Sequence, residues 1–278
     1  MRKTFVAIVF AIALAATTVG QKLTAEEVVS RHLQSIGSDE ARKTARTRII
    51  SGGSTVAFLT EPKGQATGRA VLASDGPKNL IGLSFPSPIY PREQFGYDGN
   101  SFMAAFVTPG VRSSLGSFLM THTLIFRQGL MGGALSSAWP LLSMSSNAAK
   151  LEDGGEKKVD NRILHMLNYH PKGGGDLQIH LYFDDAFHHV RTEYLRVIPA
   201  QTGSRAYTNV EEREIRYKMV EEFSEFKAES GLTLPHKYEI KFSVDSTGGT
   251  FSGEWKIDLN KFTFNEPIDP AAFTISGN

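Results

Sequence analysis

Three stretches in the second half of the chain alternate apolar and polar residues with a strict period of two. Leu177, Ile179, Leu181 and Phe183 share one face, and Gln178, His180 and Tyr182 the other. Tyr238, Ile240, Phe242 and Val244 oppose Lys237, Glu239, Lys241 and Ser243. Phe251, Trp255, Ile257 and Leu259 oppose Ser252, Glu254, Lys256 and Asp258. Strands with one wet and one apolar face belong to an antiparallel sheet, not to a parallel sheet covered on both sides. After Leu259 the aromatic series resumes at Phe262 and Phe264, so a bulge is expected near Asn260 or Lys261.

Shorter strand-like runs precede these. TRIISGGSTVAFL, GRAVLAS, NLIGLSF and REQFGYDGNSFMAAFV lie between residues 45 and 107, broken by the turn signals EPKG, DGPKN and YDGN. NRILHMLNYH, FHHVRTEYLRVI and REIRYKMVEEFSEF follow later. The clearest helix is LTAEEVVSRHLQSIG at 23–37. Thr24 and Glu27 form a capping box, Leu23 can staple to Val28, and Gly37 stops the helix. Val28, Val29, His32, Leu33 and Ile36 make one apolar stripe, with His32 a member that keeps one edge wet. Helical spacing recurs at Leu115, Phe118, Leu119, His122, Ile125 and Phe126. A third helix is expected over 138–150, with Pro140 in its first turn. The fold class is therefore α+β: one curved antiparallel sheet of about nine to eleven strands, its concave apolar face covered by three helices near 24–36, 112–127 and 138–150.

The middle of the chain is unusual for its lack of charge. Between Asp98 and Glu152 only Arg112, Arg127 and Lys150 are charged, and residues 128–149 carry no charge at all. A membrane span needs roughly 20 predominantly apolar residues. Here Gly129, Gly132, Gly133, Pro140, Asn147 and the serines interrupt the run, which argues for a segment that packs on the sheet or guards it. At the N-terminus, Arg2 and Lys3 precede the apolar stretch FVAIVFAIALAA, the pattern of a signal peptide over 1–20 cleaved near Gly20–Gln21. The expectation is a periplasmic chain of one domain, 21–278, acting as a monomer. Without Arg2 and Lys3 the net charge is −1, which gives no electrostatic drive toward nucleic acid. There is no cysteine, so stability rests on a core and not on disulfides.

No catalytic signature is present. The chain lacks G-x-S-x-G, H-E-x-x-H and the glycine-rich phosphate loops, and PKGGGD at 171–176 reads as a hairpin loop. His180 and His189 could face each other across a hairpin near Glu193, but that falls short of a zinc ligand set and reads as a solvated face. Glu221 and Glu222 point to opposite faces of a strand, and Asp184–Asp185 is turn chemistry. The expectation is a protein that is no enzyme and needs no cofactor or metal.

The order of elements over residues 23–276 resembles the LolA/LolB-like lipoprotein-carrier superfamily. The resemblance rests on the N-terminal helix after a signal peptide, the apolar insertion between two runs of strands, LTLPHKYEIKF, and the closing WKIDLNKFTFNEPIDPAAF. It implies an unclosed barrel whose apolar cavity, lidded by helices, carries acyl chains. This chain has no lipobox cysteine, is longer than the usual soluble carrier, and matches that carrier's lid-locking arginine at no single position.

Two functions follow as expectations. The first is a periplasmic carrier or binding protein for lipid or acylated protein. Leu115, Phe118, Leu119, Trp139, Leu141, Leu142 and Met144 of a movable cover would face Phe242, Trp255 and Ile257 across an apolar cavity. Methionines and glycines suit a cover that repacks around variable chains. The alternative is an envelope interaction or sensor module, docking envelope or membrane proteins, with a packed core and no cavity.

Overall fold

β1 (Thr47–Phe58) lies near the middle of one sheet, paired to β2 (Gly64–Asp75) on one side and to the last strand of the chain on the other. In the computed structural model, which describes residues 23–61, 63–143, 149–200 and 214–276, two antiparallel meanders meet at that seam. The first continues through β3 (Lys78–Ser84), β4 (Arg92–Tyr97) and the three-residue β5 (Phe102–Ala104). The second comprises β6 (Lys150–Val159), β7 (Arg162–His170), β8 (Gln178–Phe183), β9 (His189–Ile198), β10 (Ile215–Glu229), β11 (Leu232–Ser246) and β12 (Gly249–Phe264). The sheet runs β5-β4-β3-β2-β1-β12-β11-β10-β9-β8-β7-β6, so β5 and β6 are its free edges and it does not close.

Twelve strands exceed the nine to eleven expected because β4 and β5 are separate and because β6 was not recognised. KLEDGGEKKV is polar on both faces and has no period to find, as suits an edge strand that must resist pairing with other chains. The expected bulge is present at Asn260: Ser51 pairs with Lys261 while Gly52 pairs with Leu259, leaving Asn260 without a partner on β1.

α1 (Ala25–Ile36) starts at the anticipated capping box, with the Thr24 hydroxyl accepting from Glu27 N at 3.2 Å and the Glu27 carboxylate accepting from Thr24 N at 2.8 Å. A short α2 (Asp39–Thr44), capped by Ser38, follows it and was not anticipated. The helix expected over 112–127 is two pieces, α3 (Ser114–Thr121) and α4 (Leu124–Arg127). The helix expected over 138–150 is only a 3₁₀ turn at Pro140–Ser143, with 144–148 outside the described residues. Gly129, Gly132 and Gly133 all take positive φ, and the backbone of 132–137 closes only short turns of its own while its remaining groups bond to side chains of the sheet. A Cβ on Gly129 would also lie 2.0 Å from Ala138 O, so the chain doubles back here only through glycine.

The apolar face of the sheet and the covering segment merge into one large core, and a smaller cluster of Leu164, Met166, Tyr182 and Val190 lies apart from it. Trp139, Trp255, Phe95, Phe126 and Phe242 are buried in the large core. Phe118 of α3 stacks on Tyr217 at 5.8 Å and tilts against Phe242 at 5.2 Å, which ties the helix to β10 and β11. Truncating such a ring to Ala costs about 3–5 kcal/mol.

Candidate functional site

The charge-free segment is fastened by polar side chains that rise from the apolar face of the sheet. Glu221 on β10, wholly buried, accepts from Gly132 N at 2.8 Å and from Tyr238 OH at 2.6 Å on one oxygen, and from Tyr194 OH at 2.7 Å on the other. Burial pushes its carboxyl up to about 7, and the three donors keep it from rising further. Arg48 on β1, 1% exposed, donates Nη1 to Ala134 O and, at 3.4 Å, to Ser136 O. Burial lowers its pKa to about 10, so it keeps its charge at neutral pH. Asn79 donates to Met131 O at 3.3 Å, and the Ser74 hydroxyl accepts from Ser137 N at 2.9 Å. The segment carries no charge because the sheet supplies charges to its backbone, where buried N–H and C=O groups need partners.

His32 completes the fastening. Trp139 Nε1 donates to His32 Nε2 at 3.1 Å, which leaves His32 Nδ1 as the donor to Phe187 O at 3.0 Å. Both ring nitrogens are thus used by the neutral imidazole, and burial lowers its pKa to about 4. The wet edge expected of this residue does not exist, since Trp139 and Phe187 close over it.

The sequence-derived lining residues largely come together, as core. Leu115, Leu119, Trp139, Leu141, Trp255, Ile257 and Phe242 are all buried, as is Phe118, which also borders a surface groove. Leu142 is half-buried, and Met144 lies outside the described residues, as does the predicted signal peptide. The histidine pair is not formed. Val190 is an extra residue between the pairs Phe183–His189 and Tyr182–Arg191, and this bulge turns His189 onto the core face. There it stacks on Trp139 at 4.6 Å and bonds Thr192 Oγ1 at 2.8 Å, while His180 pairs with Glu193 and bonds Asn168. Among the described residues no three His, Asp or Glu side chains gather as metal ligands. Glu222 points away from Glu221, as anticipated, and pairs with Arg191 and Lys241. Asp184 accepts from Ala186 N and His188 N in its turn.

An apolar groove of about 500 Å³ opens where β1 ends. Its floor is aromatic: Phe58 meets the Tyr90 ring edge-on at 5.0 Å and tilts against Phe251 at 6.0 Å. Beneath, Trp255 Nε1 donates to Tyr90 OH at 2.9 Å, and Tyr90 OH donates to the buried Glu93. Burial pushes Glu93 up to about 7, with the Tyr90 and Ser113 hydroxyls pulling it back. On the rim, Ile89 is 83% and Val111 58% exposed. Single exposed apolar residues are ordinary, but here two stand together at one apolar groove. The groove falls in the size range of small-ligand sites. Sequence reasoning missed it because its walls come from three loops distant in the chain. Among the described residues no helix is long and apolar enough to cross a membrane.

No family model and no curated protein matches this chain. Solved structures similar to it include a LolA superfamily protein from Nitrosomonas europaea, 13% identical, covering 91% of this chain and 98% of that one at a TM-score of 0.47. Another is a putative outer membrane lipoprotein-sorting protein domain from Vibrio parahaemolyticus, 11% identical, covering 89% and 96% at a TM-score of 0.46. At such identities and scores these structures transfer no function, which has to be argued from the chain's own geometry.

Proposed function

We propose that this chain is a non-catalytic binding module for acyl chains of lipids or acylated proteins in the cell envelope, and that a chain docks first in the groove between Phe58, Tyr90 and Phe251. The observation that carries this reading is the coincidence of an aromatic floor with the exposed rim residues Ile89 and Val111. Burying a rim side chain of this kind stabilises a complex by about 1.5–3 kcal/mol. A chain too long for the groove reaches Leu115, Leu119 and the neighbouring core once the cover lifts. Glu221, Arg48 and His32 are the fastenings that hold the cover until then.

The filled concave face favours a second reading, an interaction or sensor module whose apolar rim docks another envelope protein. Mass spectrometry of an organic extract of the purified protein separates the two. Stoichiometric lipid supports the first reading; an empty protein that co-isolates with one envelope partner supports the second.

A further inference from the structure

A second groove, of about 470 Å³, adjoins the apolar one, since Arg112, Ser114 and Phe251 border both. Its character is different. Arg112, Arg196 and His122 line it along with hydroxyl groups, and no carboxylate does. The Arg112 guanidinium lies 4.2 Å from the Phe106 ring centroid and donates Nε to Ala104 O at 2.9 Å. It has no carboxylate partner among the described residues. Arg196 donates Nη1 to His122 Nε2 at 3.2 Å and faces Asp176 at 3.3 Å. The Asp176 side chain is 59% exposed, and so exposed an ion pair yields readily to a competing anion. Thus two arginines, one of them unmatched, flank a pocket whose Ser117, Thr121 and Tyr217 side chains bring hydroxyls to the same space.

Arginine forks suit phosphate and carboxylate oxygens, and such charge-assisted bonds are about twice as strong as neutral ones. A cationic pocket sharing a wall with an apolar groove has the polarity of an amphiphile. We infer that the ligand is a lipid with an anionic phosphate or carboxylate head, its acyl chain along Phe58 and Phe251 and its head between Arg112 and Arg196. This rests on the acyl-groove reading and adds the headgroup class to it.

The test compares 1-lauroyl-glycerol with its 3-phosphate below their micelle concentrations, by calorimetry on the intact protein, with glycerol 3-phosphate as the chain-free control. The phosphate form should bind about tenfold or more tightly. Arg196→Gln, which borders the cationic pocket alone, should abolish most of that preference and leave the affinity for 1-lauroyl-glycerol unchanged; Arg112→Gln, on the wall shared with the acyl groove, should also abolish most of the preference, and melting curves verify that both variants fold. Equal affinity for the two lipids, or a preference that survives both substitutions, overturns the headgroup inference and leaves the acyl groove standing. If glycerol 3-phosphate binds as well as its acylated form, the pocket is an anion site and not a lipid-head site. If neither lipid binds, both readings fall.

Discussion

Replacing Glu221 by Gln removes the charge from the fastening under Gly132 and keeps its shape. Two opposed effects follow, and pH separates them. Gln has one acceptor oxygen where Glu has two, so at least one of the three donors loses its partner, at a cost of about 1–3 kcal/mol at any pH. The carboxyl, in contrast, rises from 4.5 to about 7 on folding. A group whose pKa is raised contributes stability that is full below the unfolded value and is lost as pH rises through the folded one. From pH 4.5 to 8 the native protein therefore loses about 3 kcal/mol at Glu221, and the variant loses none of it. Glu93 titrates alike in both proteins and cancels in the difference. Urea unfolding at pH 4.5, 6 and 8 should show the variant less stable in acid and equal or more stable in base. A difference constant across that range would refute the claim that burial governs this carboxyl.

Two further outcomes follow from burial. Leu119→Asp should unfold the protein, because Leu119 is fully buried and an unpaired buried charge costs several kcal/mol, whereas Leu142→Asp, at a half-buried position, should leave a cooperative melt. His32 is held neutral, so the stability it contributes is full above pH 6.5 and is lost as pH falls through about 4, by about 3 kcal/mol in all. Protonation removes the acceptor for Trp139, and a change in tryptophan fluorescence over that acid range, absent in Trp139→Phe, is the corresponding readout.

The strands were legible where one face is wet and one dry. The alternations in β11 and β12 appear as read, that in β8 does so except at Tyr182, which is buried against Leu164, Met166 and Val190 on the other face, and the phase slip after Leu259 marked the bulge at Asn260. β6 was illegible because an edge strand of this kind buries little and keeps no period. Where a third helix was expected, the described residues 138–143 hold only a 3₁₀ turn, and the cause is the opposite. Trp139 and Leu142 stand three residues apart, as a helix would place them, but Arg48 and Glu221 take backbone groups of the preceding residues Gly132, Ala134 and Ser136, and His32 takes the Trp139 indole. A signal for these anchors was present: Arg48 stands in phase with Ile50, and Glu221 in phase with Met219 and Phe223. A charge in register with the apolar face is a buried polar contact waiting for a partner. The two grooves had no such signal, since loops build the walls of one, and a helix and the ends of four strands the other, from positions far apart in sequence.

The central claim, that an acyl chain lies in the groove at the end of β1, is tested most directly by photo-crosslinking. A lauric acid bearing a diazirine near its methyl end, irradiated with the intact protein and followed by peptide mass spectrometry, should label Ile89, Val111 or Phe251, and Ile89→Asp with Val111→Asp should suppress the labelling. Labelling spread over the outer face of the sheet, or unchanged in the double variant, would contradict it.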